Sequence, residues 1–313
     1  MTVCLHVGLH KTGTSSIQAV LSAAHDSLLR HGVEFPLLGD PPVSPKAHRH
    51  FAAYLRDRGR IPPETRALIE AWRPTQPRTV ISAEGFSHGE PEMIERARAY
   101  FGPDVHVICA LRDPVSHIVS HHHQKSGSAR NVATLSDYVA GHHAEMIEAP
   151  EIAYYAYDAK IARWSNAFRT STLTYRGDGD MVDAFLRVAE FEGMLGDYSA
   201  ASKRRNVSIA PLTAAVMRVL TRVATANRLE REAVVQTRKA IRKRQPLLQS
   251  ALMDYAVDEA VDMRPFKADF ARLNPTWAHL LEGSPDTATS GAGFSIDDDA
   301  VMGIVSEVTG HRL

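Results

Sequence analysis

Three groups of residues in this chain are suited to chemistry on anions. Lys11 stands in the run His10-Lys11-Thr12-Gly13-Thr14-Ser15-Ser16, among hydroxyl side chains and between Gly8 and Gly13. Glycine allows backbone turns that a Cβ obstructs, so successive N–H groups can aim at one anion while the lysine adds a full charge and the hydroxyls add donors. Arg112 ends the apolar run 105–111 and precedes Asp113-Pro114, where its guanidinium offers a bidentate fork. Glu84 follows the apolar run 79–83, and a carboxylate there is a candidate general base. The plainer reading of Glu84 is a loop carboxylate that caps the next helix.

The elements that must position these residues follow from periodicity. Residues 3–8 read as a buried strand, and the polar loop after them opens a helix that runs to about residue 30. That is a strand, a phosphate loop and a helix, with the positive helix end brought to the loop. Val33-Glu34-Phe35-Pro36 is a short extended piece ended by proline. Residues 79–83, 105–111 and 171–175 are further strands, and the segments 91–101, 114–124, 134–148 and 157–168 are helices. This alternation predicts an α/β fold around a parallel sheet with crossover helices, in which Glu84 and Arg112 emerge at strand carboxyl ends, where open α/β sheets bind ligands.

A helical insertion is expected over about 37–75, rich in His48, Arg49, His50, Phe51 and Tyr54. It is either a solvated amphipathic face or a wall for an acceptor substrate. Helices follow over about 211–283. Length alone permits one large α/β domain or two smaller ones; the expectation is one domain over 1–283 followed by a loosely packed Gly-, Ser- and Asp-rich tail over 284–313.

Whole-chain charge selects no partner. Lys plus Arg equal Asp plus Glu at 36 each in 313 residues, so any anion site is local and nucleic acid is not indicated. Cys4 and Cys109 lie in apolar runs and read as buried, reduced thiols, which points to a cytoplasmic protein; no signal peptide or membrane span is evident. Oligomeric state has no sequence signal.

The loop departs from the nucleoside-triphosphate pattern G-x-x-x-x-G-K-[ST]. Thr14 stands where that lysine belongs, and Lys11 lies two residues ahead of Gly13. The cation therefore sits in the loop instead of on the helix, and no acidic strand end is clearly suited to Mg²⁺, which disfavours an ATPase. The run His121-His122-His123 with His117 invites a metal, but consecutive helical residues point in different directions and no Glu stands at a supporting spacing, so no metal is expected. His142 and His143 are treated alike.

Taken together, these residues resemble the sulfotransferases that use 3′-phosphoadenosine 5′-phosphosulfate (PAPS). The run from His10 to Gln18 is similar to the 5′-phosphosulfate loop of the bacterial branch, and Leu111-Arg112-Asp113-Pro114 with Ser120 resembles the 3′-phosphate motif at the same spacing. Ile81-Ser82-Ala83-Glu84 looks like the strand end that carries a catalytic glutamate in carbohydrate sulfotransferases, with Ala83 in place of a frequent serine. Arg204 and Arg205, before Asn206 and Ser208, match more weakly a loop that closes over the nucleotide. The resemblance implies a P-loop-like three-layer fold and metal-free transfer of a sulfuryl group from PAPS to a hydroxyl or amine of a small-molecule or carbohydrate acceptor. It implies a cofactor site of His10, Lys11, Thr12, Gly13, Thr14, Ser15, Ser16, Arg112, Ser120, Arg204 and Arg205. Lys11 would stabilise the transferred group and Glu84 would act as base, with His88 as its substitute. A nucleotide or small-molecule kinase and a catalytically silent nucleotide-binding module are the alternatives.

Overall fold

The apolar runs of the first 175 residues form five strands: β1 (Thr2–Gly8), β2 (Val33–Glu34), β3 (Arg78–Ala83), β4 (Val105–Arg112) and β5 (Arg169–Tyr175). The computed structural model describes residues 1–9, 11–37, 48–57, 61–128, 132–175, 181–196, 198, 210–289 and 293–310. The strands lie in the order β2-β3-β1-β4-β5 and every pair is parallel, as the alternation of elements predicts. Ala83 pairs with Val7, Ala110 with Gly8, and Arg112 with Tyr175, so the carboxyl ends of four adjacent strands reach one edge of the sheet.

Alternate residues of each strand point to opposite faces, and both faces are covered. Val3, Leu5, Val7, Ile81, Val107 and Cys109 pack against α3 (His48–Arg56), α5 (Pro91–Phe101) and α8 (Tyr157–Ala167) through Phe51, Met93 and Trp164. Cys4, Val80, Ile108, Ala110 and Leu173 pack against α1 (Thr14–Ala23) and α9 (Met181–Val188) through Ile17, Leu21 and Phe185. Burial on two faces is why the strands are almost continuously apolar. Cys4 and Cys109 belong to opposite faces, and both are free and buried, with burial pushing each thiol up to about 12.

Element boundaries differ from expectation in particular places. The first helix is broken at Ala24, where φ is −93° and ψ 13°, so that α2 (His25–Arg30) sets off separately. The insertion supplies α3 and α4 (Pro63–Ala71). Glu84 opens a 3-10 turn, Glu84–His88, instead of lying in an open loop.

Where one domain was expected, the chain divides into two compact units. The first is Met1–Asp113, Glu148–Asn206 and Phe270–Leu280, and contains the sheet. The second is Pro114–Ile147, Val207–Asp269 and Leu281–Leu313. It contains α6 (Pro114–Gly127), α7 (Leu135–Glu148) and helices Pro211–Ala226, Arg231–Lys243 and Gln245–Leu252, with two antiparallel two-stranded ladders. The expectation of a loosely packed tail over 284–313 is corrected here. Strand Thr287–Thr289 pairs with Ala260–Asp262, and helix Asp298–Thr309 buries Val301, Met302 and Val305 against Val216, Leu220 and Ile241. Among the described residues no helix is long and apolar enough to cross a membrane.

The entry to α1 is sterically tight. A Cβ placed on Gly8 would lie 2.0 Å from Thr14 Oγ1. Gly8→Ala should therefore destabilise the protein by about 1–3 kcal/mol in urea unfolding, with much of the loss recovered when Thr14→Ala removes the opposing hydroxyl. An unchanged midpoint for Gly8→Ala would show that the turn has slack.

Candidate functional site

The loop between β1 and α1 is held from inside. Gly13 takes the N-cap position with φ 82°, no side chain caps the helix, and the N–H groups of Ser16 and Ile17 turn back to Gly13 O at 2.9 and 3.2 Å. Thr12, fully buried, donates its hydroxyl to Leu9 O at 2.7 Å and lies 3.4 Å from the Thr14 hydroxyl. Thr12 therefore shapes the loop from below. Lys11 has a left-handed backbone, φ 64°, which is strained for a residue with a side chain. Ser15 and Ser16 are half-buried in the first helical turn.

Arg112, on the strand next to β1, supports that strained residue. Its Nη1 donates to Lys11 O at 3.0 Å, and its guanidinium stacks over the Tyr175 ring at 5.0 Å from the centroid. The Tyr157 hydroxyl donates to Arg112 O at 3.3 Å. Lys11 and Arg112 are thus neighbours. The Lys11 ammonium is held below its ordinary value, first by burial and then by Arg112, while Glu84 acts in the opposite direction. Burial likewise lowers Arg112, opposed by Tyr175, Asp113, Tyr157 and Tyr155. Lys11, Thr12, Thr14, Glu84 and Arg112 accordingly come together at the carboxyl ends of β3, β1 and β4.

Ser82, two residues before Glu84, joins a buried polar group that no sequence spacing brings together. His6 Nδ1 is 2.8 Å from Ser82 Oγ, and Gln18 Nε2 donates to Ser82 O at 3.0 Å and to Ser82 Oγ at 3.2 Å. His48 Nδ1 accepts the Ser82 N–H at 2.9 Å, so its Nε2 carries the hydrogen and donates to Pro36 O at 2.8 Å. Burial lowers both imidazoles to about 4. For His6 Glu84 raises it in opposition, and for His48 the two backbone bonds do.

The remaining candidates lie elsewhere. His88 is exposed at the end of the 3-10 turn, and its charge acts on Glu90. Burial works to raise the Glu90 carboxyl but is outweighed by the Arg56 hydrogen bonds, at 2.7 and 3.1 Å, so Glu90 sits low. Ser120 is half-buried on α6 in the second unit. His10, Arg204 and Arg205, with Asn206 and Ser208, lie outside the described residues. In the second unit His121 Nδ1 is 2.9 Å from the Tyr138 hydroxyl, His122 Nε2 is 3.0 Å from Ala133 O, and His143 Nε2 is 2.6 Å from Asp269 Oδ2. Among the described residues no three metal-ligating side chains cluster. A surface cavity of about 380 Å³, lined by Tyr54, Arg66, Glu70, Arg96 and Tyr100, includes Tyr54 of the expected acceptor wall and none of the candidate catalytic or cofactor-binding residues.

Sequence reasoning missed Tyr175, Tyr157, Gln18 and His6. Only Tyr175 carried a signal, as an aromatic closing the strand that follows the arginine-tipped one. No protein-family model, curated protein or solved structure matches the chain.

The two buried imidazoles give a pH expectation. Each is neutral in the folded protein down to about 4, whereas an unfolded histidine takes up its proton near 6.5. Between those values the unfolded chain binds more protons, so stability is full above the upper value and falls as pH drops through the window. Unfolding midpoints measured at pH 7 and pH 4.5 should differ, and His6→Asn with His48→Asn should shrink the difference. A difference unchanged in the double variant would assign the acid loss to other groups.

Proposed function

We propose that the protein is a sulfotransferase that moves the sulfuryl group of PAPS to a hydroxyl or amine of a small-molecule or carbohydrate acceptor, in line and without a metal. The observation that carries this reading is one loop served by two cations: Lys11 lies inside the turn ahead of Gly13, and Arg112 reaches its carbonyl at 3.0 Å from the adjacent strand. The loop's backbone is also consistent with an anion there. Gly13 lets the backbone pass close to a phosphate, and the uncapped start of α1 presents its positive end there.

Transfer between two oxygens asks little covalent work of the protein and much positioning and charge stabilisation. Thr14, Ser15, Ser16 and the loop amides would hold the 5′-phosphate. Lys11 would take up the negative charge that builds on the bridging oxygen as its bond to sulfur breaks. Glu84 would accept the acceptor's proton as the new bond to sulfur forms. Arg112 would read the 3′-phosphate. A sulfuryl group carries less charge than a phosphoryl dianion, so a lysine and a ring of N–H donors stand in for a divalent ion in this scheme. Two buried thiols fit a cytoplasmic setting.

A thermal-shift panel tests the nucleotide. Adenosine 3′,5′-bisphosphate at 100 times its Kd should add about 2.7 kcal/mol to the folded state without Mg²⁺, and ATP little. Stabilisation by ATP that requires Mg²⁺ would favour a kinase instead. Arg112→Ala should weaken the 3′,5′-bisphosphate far more than adenosine 5′-phosphate, and equal losses would remove Arg112 as the 3′-phosphate reader.

Turnover tests the base. Glu84→Gln should lower kcat by roughly 10²–10⁴ while bisphosphate affinity holds. An unchanged rate moves the role elsewhere, with His88→Gln as the next variant. Bisphosphate binding without transfer to any glycan, lipid, phenol or amine tried would favour a silent module.

A further inference from the structure

We propose that Ser82 is the positioning residue of this site, gripped by His48, Gln18 and His6 so that Glu84, two residues on, is held at a fixed place relative to the phosphate loop. The inference rests on the reading of Glu84 as base and adds what orients it.

Backbone N–H groups along a strand alternate between its two neighbours. On β3 the Arg78 N–H faces β2, donating to Gly32 O at 3.2 Å, so the Ser82 N–H four residues later faces the same side. By then β2 has ended: it stops at Glu34, and Pro36 has no N–H to continue the ladder. The N–H and C=O of Ser82 would be left unmade at a buried edge, at about 1–3 kcal/mol each.

Side chains replace the missing strand. His48 Nδ1 takes the N–H at 2.9 Å and Gln18 Nε2 supplies the C=O at 3.0 Å, while Gln18 and His6 also meet the hydroxyl at 3.2 and 2.8 Å. Ser82 and His6 are 0% exposed, His48 1% and Gln18 7%, so these bonds do not compete with bulk water. Every polar group of Ser82 is therefore held by another element: α3, α1 or β1.

The choice of elements points beyond mere satisfaction of an edge. Gln18 lies one helical turn after Thr14, so the helix that begins at the phosphate loop also grips the strand that carries Glu84. On the other side of that strand end, a Cβ added to Gly85 would lie 2.8 Å from Ala52 Cβ, so α3 leaves the Glu84 turn no room to slide. His48 and Ala52 are one turn apart on α3 and act on the same four residues of chain, Ser82 to Gly85. A misplacement of about 1 Å at a reacting group can cost about a hundredfold in rate, which is the scale such a clamp protects.

Three variants test the clamp: His48→Leu removes the acceptor, Gln18→Met removes the donor, and His48→Asn keeps an amide oxygen near the place of Nδ1. In His48→Leu and Gln18→Met, kcat for transfer from PAPS should fall roughly ten- to a hundredfold with the Kd of adenosine 3′,5′-bisphosphate unchanged. Hydrogen exchange of the amides over Glu84–His88 should quicken in both, and His48→Asn should restore rate and protection together. Should His48→Leu fail to fold, Gln18→Met reads the clamp from the other side. Unchanged exchange over Glu84–His88 in the folded variants overturns the proposal, as does an equal loss of kcat in His48→Asn and His48→Leu. A wild-type protein that does not bind the bisphosphate overturns the sulfotransferase reading alone, and the exchange measurements then decide the clamp by themselves.

Discussion

The arrangement of the first unit depends on a turn with no room for a side chain. With Gly8 pressed against Thr14 and Gly13 at φ 82°, α1 starts directly over the end of the central strand. The positive end of the helix therefore meets the edge of the sheet where the neighbouring strands also end. The tightness also forces Lys11 to φ 64°, a conformation that costs about 1–3 kcal/mol in a residue with a Cβ. Arg112 offsets part of that cost by donating Nη1–H to the Lys11 carbonyl, and Tyr175 holds the guanidinium plane from the next strand out. The loop is thus stabilised from a strand that lies a hundred residues away in the chain.

Two cations placed this close repel, and the first unit keeps them so. Burial and Arg112 both work against a charge on Lys11, and Glu84 is the group that works for it. The chain as a whole is balanced, 36 basic against 36 acidic residues, so this local excess is a property of the loop alone. An anion seated between the two cations relieves the repulsion and favours the charged lysine, so binding and protonation reinforce each other.

Much of this was legible in the sequence, for physical reasons that also explain what was not. Strands buried on two faces write themselves as apolar runs, and glycine or proline marks their ends, so Glu84 and Arg112 could be placed at strand ends before any fold was known. The order of strands has no such signature, because periodicity describes a strand's faces and never its neighbours. In the sequence His48 reads as part of a solvated amphipathic face or an acceptor wall, and Gln18 as the end of the phosphosulfate-loop-like run. Their roles depend on β2 stopping two residues after it starts, which only the paired sheet reveals. The tail was misread for a different reason: glycine, serine and aspartate around residue 290 outweighed the helical spacing of Val301, Ile304, Val305 and Val308, and the Asp297 carboxylate that accepts the Ala300 N–H as its cap.

The face of the sheet toward α1 and α9 changes character along its length, and this bears on why buried polar residues are present at all. On that face β1 runs from Cys4 to His6, β3 from Val80 to Ser82, β4 from Ile108 and Ala110 to Arg112, and β5 from Leu173 to Tyr175. Each strand is polar at its first residue on this face (Thr2, Arg78, His106, Arg169), apolar further along, and polar again where the loops begin. Replacing the His6 and Ser82 side chains together with apolar residues of similar shape would cost the core little, since paired buried polar groups contribute modestly to net stability. Stability alone therefore does not account for their position. A hydrogen bond, unlike an apolar contact, fixes direction as well as distance. A layer of such bonds directly below the strand ends converts a packed sheet, which tolerates small slides, into a platform on which a carboxylate, a lysine loop and an arginine keep their separations.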